Sequence, residues 1–293
     1  MRLAGALGAM VAIALGVSWW GRDAPRSAAS PTRSDPASGS VAWPSEGDSA
    51  AWVDGRLIRG PGADRPVPIA SVAKVMTAYV VLHDHPLSTG GSGPQIVVAP
   101  AEAAAYQAEL HAGESVVPVE PGEALTERQA LEALLLPSAD NIAWILARWD
   151  AGSVGAFVER MNAAARRLGM TSTRYTDPSG LAATTTSSAA DQVRLGVAAM
   201  GQPALAQIVS ESSALVPVAG VVHNLNSLLG QDGVVGLKTG STSAAGGCVL
   251  LAARPGTGSL IVAAIFGQSG SPDTILPAAL GAGRQLLIGL ERG

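Results

Sequence analysis

The sequence predicts an α+β fold in which one antiparallel sheet is built from both ends of the domain, with helices on its faces and a mainly helical middle region. Three observations support this prediction. Short apolar runs flank Asp54-Gly55 near the start, helical apolar patterns fill the middle, and two apolar strand patterns lie near the end. Strands from both ends can share one core beneath the helices, which favours a single layered domain.

Local signals predict the individual elements in chain order. Asp54-Gly55 between apolar runs is typical of a hairpin turn. Residues 71–83 carry apolar side chains at helical spacing. Residues 126–129, Thr-Glu-Arg-Gln, resemble a capping box that opens a helix, and Pro137 ends that helix. Further helices are predicted at 142–149, 154–168 and 274–290, and strands at 247–252 and 259–266.

Composition excludes several classes of protein. The 293 residues are 47% hydrophobic and 14% charged, which is enough apolar surface for a large folded domain. A net charge of −4 and only 4% aromatic residues argue against a nucleic-acid partner. The single Cys248 rules out an internal disulfide, and the four histidines form no H-E-x-x-H pair. We therefore expect no metal and no cofactor, and we expect Cys248 to be a buried apolar residue.

The N-terminus carries a nearly pure apolar run over residues 3–20, behind Arg2. Its length lies between that of a secretory signal and that of a membrane-spanning helix, so a cleaved signal peptide and a retained membrane anchor both stay open. Either one directs the rest of the chain across a membrane, so we expect an extracytoplasmic protein, anchored or secreted. Residues 21–40 are predicted as a flexible Pro/Ser/Ala-rich linker and residues 41–293 as one globular domain.

Lysine is rare in this chain, and its two positions are informative. Of the 19 basic residues, only Lys74 and Lys238 are lysines. A biased composition explains the scarcity but not the positions that remain. Because a buried lysine can lose its proton and an arginine cannot, both positions are candidates for proton chemistry.

Both lysines lie in short motifs. The motifs are Ser71-Val72-Ala73-Lys74, Ser138-Ala139-Asp140 and Lys238-Thr239-Gly240. Positions three apart share a helix face, so Ser71 and Lys74 point the same way. A serine hydroxyl needs an adjacent base, which Lys74 supplies if burial or a second cation, Lys238, lowers its pKa. The alternatives are that Ser71 and Ser138 are ordinary helix N-caps.

This arrangement resembles the active-site serine penicillin-recognising enzymes. Four segments in particular resemble low-molecular-mass D-alanyl-D-alanine carboxypeptidases, and the resemblance runs from about Trp43 to Gly267. These segments are 66–79, 134–141, 176–181 and 236–246. The resemblance implies a β-lactamase/transpeptidase-like fold and hydrolysis of the terminal D-Ala-D-Ala bond of peptidoglycan stem peptides in cell-wall remodelling. It implies β-lactam antibiotics as covalent inhibitors, and a membrane contact if the N-terminal segment is uncleaved.

The resemblance also implies a role for each motif residue. Ser71 would form the acyl-enzyme, Lys74 would take its proton, and Ser138 would pass a proton to the leaving amine. Lys238 would supply positive potential for Lys74 and for the substrate carboxylate.

The remaining motif residues would bind the substrate. Thr239 would bond the substrate carboxylate, and Gly240 would let the strand approach closely. The backbone N–H groups of Ser71 and Ser241 would form the oxyanion hole. Asp140 takes the third position of the second motif.

Asp140 is a departure, because the family usually has asparagine there. An ionised aspartate only accepts hydrogen bonds, and near Lys74 it would favour the charged ammonium. Three explanations stay open. The site tolerates Asp140, or Asp140 faces elsewhere, or turnover is weak.

Other functions stay open as well. A β-lactamase of the same superfamily is disfavoured, because no E-x-x-L-N segment occurs between 150 and 190, where Glu159 is followed by Arg-Met-Asn. A transpeptidase or endopeptidase would use the same residues. A non-catalytic cell-wall binding protein has only Asp140 in its favour. Residues 177–180 are expected to form a turn with a minor part in shaping the site, and no role is assigned to the histidines.

Overall fold

A computed structural model of the chain describes residues 41–256 and 258–291; the predictions for 1–20 and 21–40 lie outside them. The strands are β1 Asp48–Val53, β2 Arg56–Arg59, β3 Val67–Pro68, β4 Gln95–Val97, β5 Ala124–Thr126, β6 Thr186–Ser187, β7 Ser213–Val216, β8 Gly220–His223, β9 Val234–Thr242, β10 Gly246–Ala253 and β11 Ile261–Gln268. The helices are α1 Lys74–Asp84, α2 Pro100–His111, α3 Glu127–Leu135, α4 Asp140–Ala151, α5 Val154–Arg167, α6 Ala189–Met200, α7 Pro203–Val209 and α8 Ile275–Glu291. Among these helices, none has the length and apolar character needed to span a membrane.

The main sheet joins the two ends of the domain, as predicted. Its five strands are antiparallel in the order β2-β1-β11-β10-β9. Successive side chains of a strand face opposite sides of a sheet. Accordingly, Leu250 lies in the large core that α1 and α6 share, whereas Leu251 lies in the smaller core beneath α8. The α+β prediction is confirmed, and Cys248 is buried in β10, where burial raises the pKa of its thiol to about 12.

Several element boundaries follow the predicted local signals. Asp54 and Gly55 both have positive φ, 50° and 76°, as the tight turn between β1 and β2 requires. Thr126 Oγ1 accepts a hydrogen bond from the Gln129 amide, and the Gln129 side chain accepts one from the Thr126 amide, which completes the capping box. The helix predicted at 71–83 instead starts with a 3-10 turn over Ala70–Ala73, which leads into α1.

Local sequence signals did not predict α2, α6, α7, the short strands β3 to β6 or the β7-β8 hairpin. Helix α2 has no buried residue, so it has no apolar stripe to reveal it. Helix α6 has buried residues on more than one face, among them polar Asp191 and Gln192, which hides its period. The β7-β8 hairpin buries Val216 and Val222 on one face and exposes apolar Leu215 and Val221 on the other, so apolar residues on both faces hide the alternation that would reveal a strand.

We expect Glu127→Gln to stabilise the fold at alkaline pH. Glu127 is fully buried at the start of α3, and within the described residues neither of its carboxylate oxygens has a hydrogen-bond partner. Burial, and then repulsion from Asp150, raises the pKa of Glu127 to about 7. The stability that its proton confers is complete below the unfolded pKa of about 4.3 and is lost as pH rises through about 7.

The substitution should therefore raise the free energy of unfolding at pH 8 by about 1–3 kcal/mol and leave it nearly unchanged at pH 4.5. The lost attraction between a carboxylate and the helix N-terminus is smaller, about 0.5 kcal/mol. Urea unfolding at both pH values measures the effect. The control is Glu159→Gln, at an exposed position on α5. An equal gain at both pH values would contradict the prediction.

Candidate active site

Ser71 lies in the 3-10 turn that precedes α1. The N-cap of this turn is Ile69 and no side chain caps it, so the N-cap alternative for Ser71 is wrong. Ala70, just before Ser71, has a φ of 47°, an uncommon value for a residue with a side chain. The Ser71 hydroxyl accepts a hydrogen bond from Lys74 Nζ at 2.7 Å, which is the pairing expected from their spacing.

Lys74 is completely buried at the centre of the site. Besides Ser71, its ammonium contacts Asp140 Oδ1 at 2.7 Å, the backbone carbonyl of Ser179 at 3.2 Å and Ser138 Oγ at 3.4 Å. Burial lowers the pKa of Lys74, and the charge and hydrogen bond of Asp140 oppose that shift. A lysine in this environment gives up its proton more readily than one in water.

Ser138 is not a helix cap either. Helix α4 begins at Asp140 and its N-cap residue is Ala139, so the N-cap alternative for Ser138 is wrong. Ser138 is buried with a φ of 70°, a left-handed conformation that is strained for a serine. This conformation accompanies a hydroxyl that lies beside Lys74 rather than at the start of α4.

Asp140 and Asn141 bond different partners at the start of α4. Asp140 Oδ1 contacts Lys74, and Oδ2 accepts a hydrogen bond from the Ser115 amide at 3.1 Å. The Asn141 amide instead bonds the backbone of Val117, through both Oδ1 and Nδ2. The structure therefore excludes the explanation that Asp140 faces elsewhere, and Asn141 does not take its place.

Lys238 on β9 is also buried, and its Nζ donates to the backbone carbonyl of Thr239 at 2.9 Å. Burial first, and then repulsion from Lys74, lowers the pKa of Lys238 well below its ordinary value. The sequence leaves two causes open for a lowered pKa of Lys74, burial or the nearby cation Lys238. The main cause at Lys74 is burial.

The predicted substrate-binding residues follow Lys238 along β9. Thr239 is buried and Ser241 is exposed. At Gly240 the strand passes directly over the 3-10 turn Ala70–Ala73, called the nucleophile turn after the predicted role of Ser71. An added Cβ would lie 2.8 Å from the Ser71 nitrogen and 3.1 Å from the Val72 nitrogen. Only a residue without a side chain lets the two backbones approach this closely.

Residues 177–181 contribute more to the site than the predicted turn. The carbonyl of Ser179 is one of the acceptors around Lys74, and Asp177 accepts hydrogen bonds from the same loop. A backbone carbonyl leaves no residue-type signal, so only the Asp-Pro-Ser-Gly motif could have indicated this contact.

Glu159 is exposed on α5 and is not among the contacts of Lys74. Within the described residues, no three His, Cys, Asp or Glu side chains are grouped to hold a metal ion.

We expect Asp140→Asn to move the pH dependence of Ser71 acylation to lower pH. The Asp140 carboxylate raises the pKa of Lys74, so its removal leaves more of the amine neutral. The side-chain amide introduced by the substitution can accept from Ser115 N and donate to the neutral amine, which an ionised carboxylate cannot do. Acylation at pH 6 should become faster, by up to about tenfold.

The measurement is the rate of acylation by a β-lactam across pH 5–9. Asp64→Asn serves as the control, because Asp64 is an exposed partner of Arg59. An unchanged profile, or one moved to higher pH, would show that Asp140 does not hold the proton on Lys74.

Comparisons with known sequences agree with this geometry. A family model described as D-alanyl-D-alanine carboxypeptidase matches residues 48–269. The chain is 36% identical over 248 residues to the D-alanyl-D-alanine carboxypeptidase DacB2 of Mycobacterium tuberculosis, which covers 80% of each protein. It is 32% identical over 204 residues to a D-alanyl-D-alanine endopeptidase of Pseudomonas aeruginosa, which covers 67% of this chain and 63% of that protein.

Solved structures show the same architecture. A D-alanyl-D-alanine carboxypeptidase from Mycobacterium tuberculosis superposes with a TM-score of 0.73 at 32% identity, over 87% of this chain and 94% of that one. The Streptomyces K15 DD-transpeptidase superposes with a TM-score of 0.75 at 23% identity, over 86% of this chain and all of that one. At that identity the second likeness supports the fold alone.

Proposed function

Since the chain belongs to the D-alanyl-D-alanine carboxypeptidase family, we propose that it cleaves the terminal D-Ala-D-Ala bond of peptidoglycan stem peptides through an acyl-enzyme on Ser71. Members of this family are serine hydrolases that act in cell-wall metabolism. The observation that carries the proposal is the 2.7 Å contact between Ser71 Oγ and the buried Nζ of Lys74. A serine hydroxyl needs an adjacent base to act as a nucleophile, whereas a non-catalytic cell-wall binding protein has no need for such a pair.

Acylation would begin when neutral Lys74 takes the proton of Ser71 as its oxygen attacks the carbonyl between the two D-alanines. The resulting oxyanion would accept hydrogen bonds from the backbone N–H groups of Ser71 and Ser241. The carbon–nitrogen bond then breaks, and the leaving amine of D-alanine takes a proton that Lys74 passes through Ser138. Water, deprotonated by the same base, would release the shortened peptide and restore Ser71.

The remaining motif residues would hold the substrate. Lys238 would add positive potential near the substrate carboxylate when protonated, and Thr239 would hydrogen-bond that carboxylate. Asp140 would hold the Lys74 ammonium between turnovers, at the distance of 2.7 Å that supports this role. Gly240 would keep β9 close to Ser71, as its short contacts require.

We also propose the domain organisation and location that the sequence predicts. Residues 1–20 would be a signal peptide or membrane anchor, 21–40 a linker, and 41–293 the peptidase domain. Because action on the cell wall is extracytoplasmic, the peptidase domain would have to be exported across a membrane, which the first segment would direct. Whether the protein is secreted or stays anchored depends on cleavage of the first segment.

The test is the intact mass of the protein after incubation with benzylpenicillin, followed by peptide mapping of the adduct. We expect a long-lived adduct on Ser71, none in Ser71→Ala, and release of D-alanine from a stem-pentapeptide analogue by the unmodified enzyme. A transient adduct with accumulating hydrolysed penicillin would favour a β-lactamase. No adduct and no D-alanine release from well-folded protein would favour a non-catalytic binding protein.

A further inference from the structure

The loop 177–181 bonds helix α1 from one side of the Lys74 ammonium. Lys74 Nζ donates to the Ser179 carbonyl at 3.2 Å, and Thr77 Oγ1 donates to the Pro178 carbonyl at 2.6 Å. Thr77 and Ser179 are both completely buried. Two consecutive carbonyls of one loop therefore bond side chains that lie three residues apart on α1.

The Asp177 carboxylate holds the opposite side of the same loop. Its Oδ2 accepts hydrogen bonds from the amides of Ser179, Gly180 and Leu181 at 3.3, 2.8 and 3.0 Å. It also accepts from Ser179 Oγ at 2.7 Å, and Oδ1 accepts from Thr185 Oγ1. Successive amides that converge on one oxygen form an anion-binding concavity, here filled by the chain's own carboxylate.

Peptide planarity connects these two sets of hydrogen bonds. In a trans peptide the C=O and N–H bonds point in opposite directions from one rigid plane. The Gly180 amide points at Asp177, so the Ser179 carbonyl of the same plane points away from it, toward Lys74. The Ser179 amide likewise points at Asp177, and the Pro178 carbonyl points toward Thr77.

The loop also packs on the nucleophile turn. Gly180 has a φ of 82°, and a Cβ at this position would overlap the carbonyl oxygen of Ala70. Because Ala70 immediately precedes Ser71, the loop contacts the backbone of the nucleophile as well as the base.

The Ser179 carbonyl helps to set the direction of the lone pair on the neutral amine of Lys74. An ammonium has three N–H donors. Those of Lys74 are directed at the Asp140 carboxylate, the Ser179 carbonyl and the Ser71 hydroxyl. After one proton is lost, the two remaining N–H groups can stay on Asp140 and Ser179. The lone pair is then left facing Ser71 Oγ, which is the orientation of a base.

We propose that Asp177 is a positioning residue for acylation: through the peptide planes of residues 178–180 it fixes the Ser179 carbonyl that orients the Lys74 amine toward Ser71. This inference rests on the proposed function. It assigns the Asp-Pro-Ser-Gly turn a part in the chemistry, without contact between Asp177 and the substrate.

The test compares Asp177→Ala and Asp177→Asn by the second-order rate constant for acylation with benzylpenicillin and by its pH profile. Asp177→Ala frees the loop, and a misplacement of the base by about 1 Å should lower the rate constant about 10²-fold. Asp177→Asn can still offer one oxygen to the loop amides, so its rate should stay within about tenfold of the wild type. Its acid limb should lie at lower pH, because one of the charges that raise the pKa of Lys74 is gone, while the larger effect of Asp140 remains.

The matched control is Asp191→Ala. Asp191 is a buried carboxylate that accepts hydrogen bonds from Ser172 N and Thr173 Oγ1, and it accepts none from Lys74 or from the loop 177–181. Its acylation rate should change less than threefold if the protein stays folded by circular dichroism. A comparable loss of rate in this control would reduce the Asp177 effect to a general loss of packing and overturn the proposal.

The remaining outcomes are equally decisive. Folded Asp177→Ala that acylates at the wild-type rate overturns the inference, and so does an equal loss of rate in the Ala and Asn variants. If Asp177→Ala does not fold, the Asn variant decides, and an unmoved acid limb overturns the inference. If the wild type forms no adduct, the proposed function fails first, whereas adduct formation in the wild type confines any failure to Asp177.

Discussion

Lys74→Arg is expected to lower the rate constant for acylation of Ser71 by benzylpenicillin about 10³-fold, the contribution typical of a positioned general base. The guanidinium keeps the positive charge and an ion pair with Asp140, but it cannot lose its proton near neutral pH. The loss would therefore report on proton transfer and not on charge. The rate is measured by quenching the reaction with labelled penicillin at a series of times and quantifying the adduct on a gel or by mass spectrometry.

Lys238→Arg provides the comparison within the same chain. Lys238 is also completely buried, but its Nζ bonds a backbone carbonyl and not the nucleophile. A cation at this position is retained by arginine, so a loss of about tenfold or less is expected if both variants fold. Acylation of Lys74→Arg at the wild-type rate would show that another group takes the Ser71 proton.

The parts of the fold that the sequence predicts well are those specified by neighbouring residues. The capping box over 126–129 fixes the start of α3, and the Asp54-Gly55 turn fixes the first hairpin, since each signal acts within a few residues. The buried strands β10 and β11 are recognisable from their apolar runs. Helix α2 escapes detection because all its residues are at least partly exposed, so tertiary position and not periodicity defines it.

For the site, sequence reasoning identifies residue types but not directions. The motifs select Ser71, Lys74 and Ser138, and their proximity in the structure fits that selection. The direction of Asp140 could not be derived, because it depends on the Ser115 amide, 25 positions away in the chain. The contact with the Ser179 carbonyl cannot be predicted from side-chain types, because every residue has a backbone carbonyl and only the fold places this one beside Lys74.

Gly240→Ala is expected to lower the acylation rate about 10²-fold and the free energy of unfolding by about 1–3 kcal/mol, the usual cost of adding a methyl group to a packed site. The new Cβ would lie 2.8 Å from the Ser71 nitrogen and 3.1 Å from the Val72 nitrogen, closer than packed atoms allow. Strand β9 would have to move away from the nucleophile turn. The proposed oxyanion hole uses one N–H from each of these elements, so its two donors would separate and stabilise the oxyanion less.

Gly281→Ala is the matched control. Gly281 lies within α8, and outside this helix no atom of residues 41–256 or 258–291 comes within 4 Å of an added Cβ, so alanine there should leave acylation unchanged and favour the helix by up to about 1 kcal/mol. Because β9 remains paired with β10 through Gly240 and Cys248, Gly240→Ala should still unfold in one cooperative transition, at a lower melting temperature than the wild type. A folded Gly240→Ala protein with undiminished acylation would mean that the separation between β9 and Ser71 does not set the rate, and the oxyanion hole would then have to be sought elsewhere.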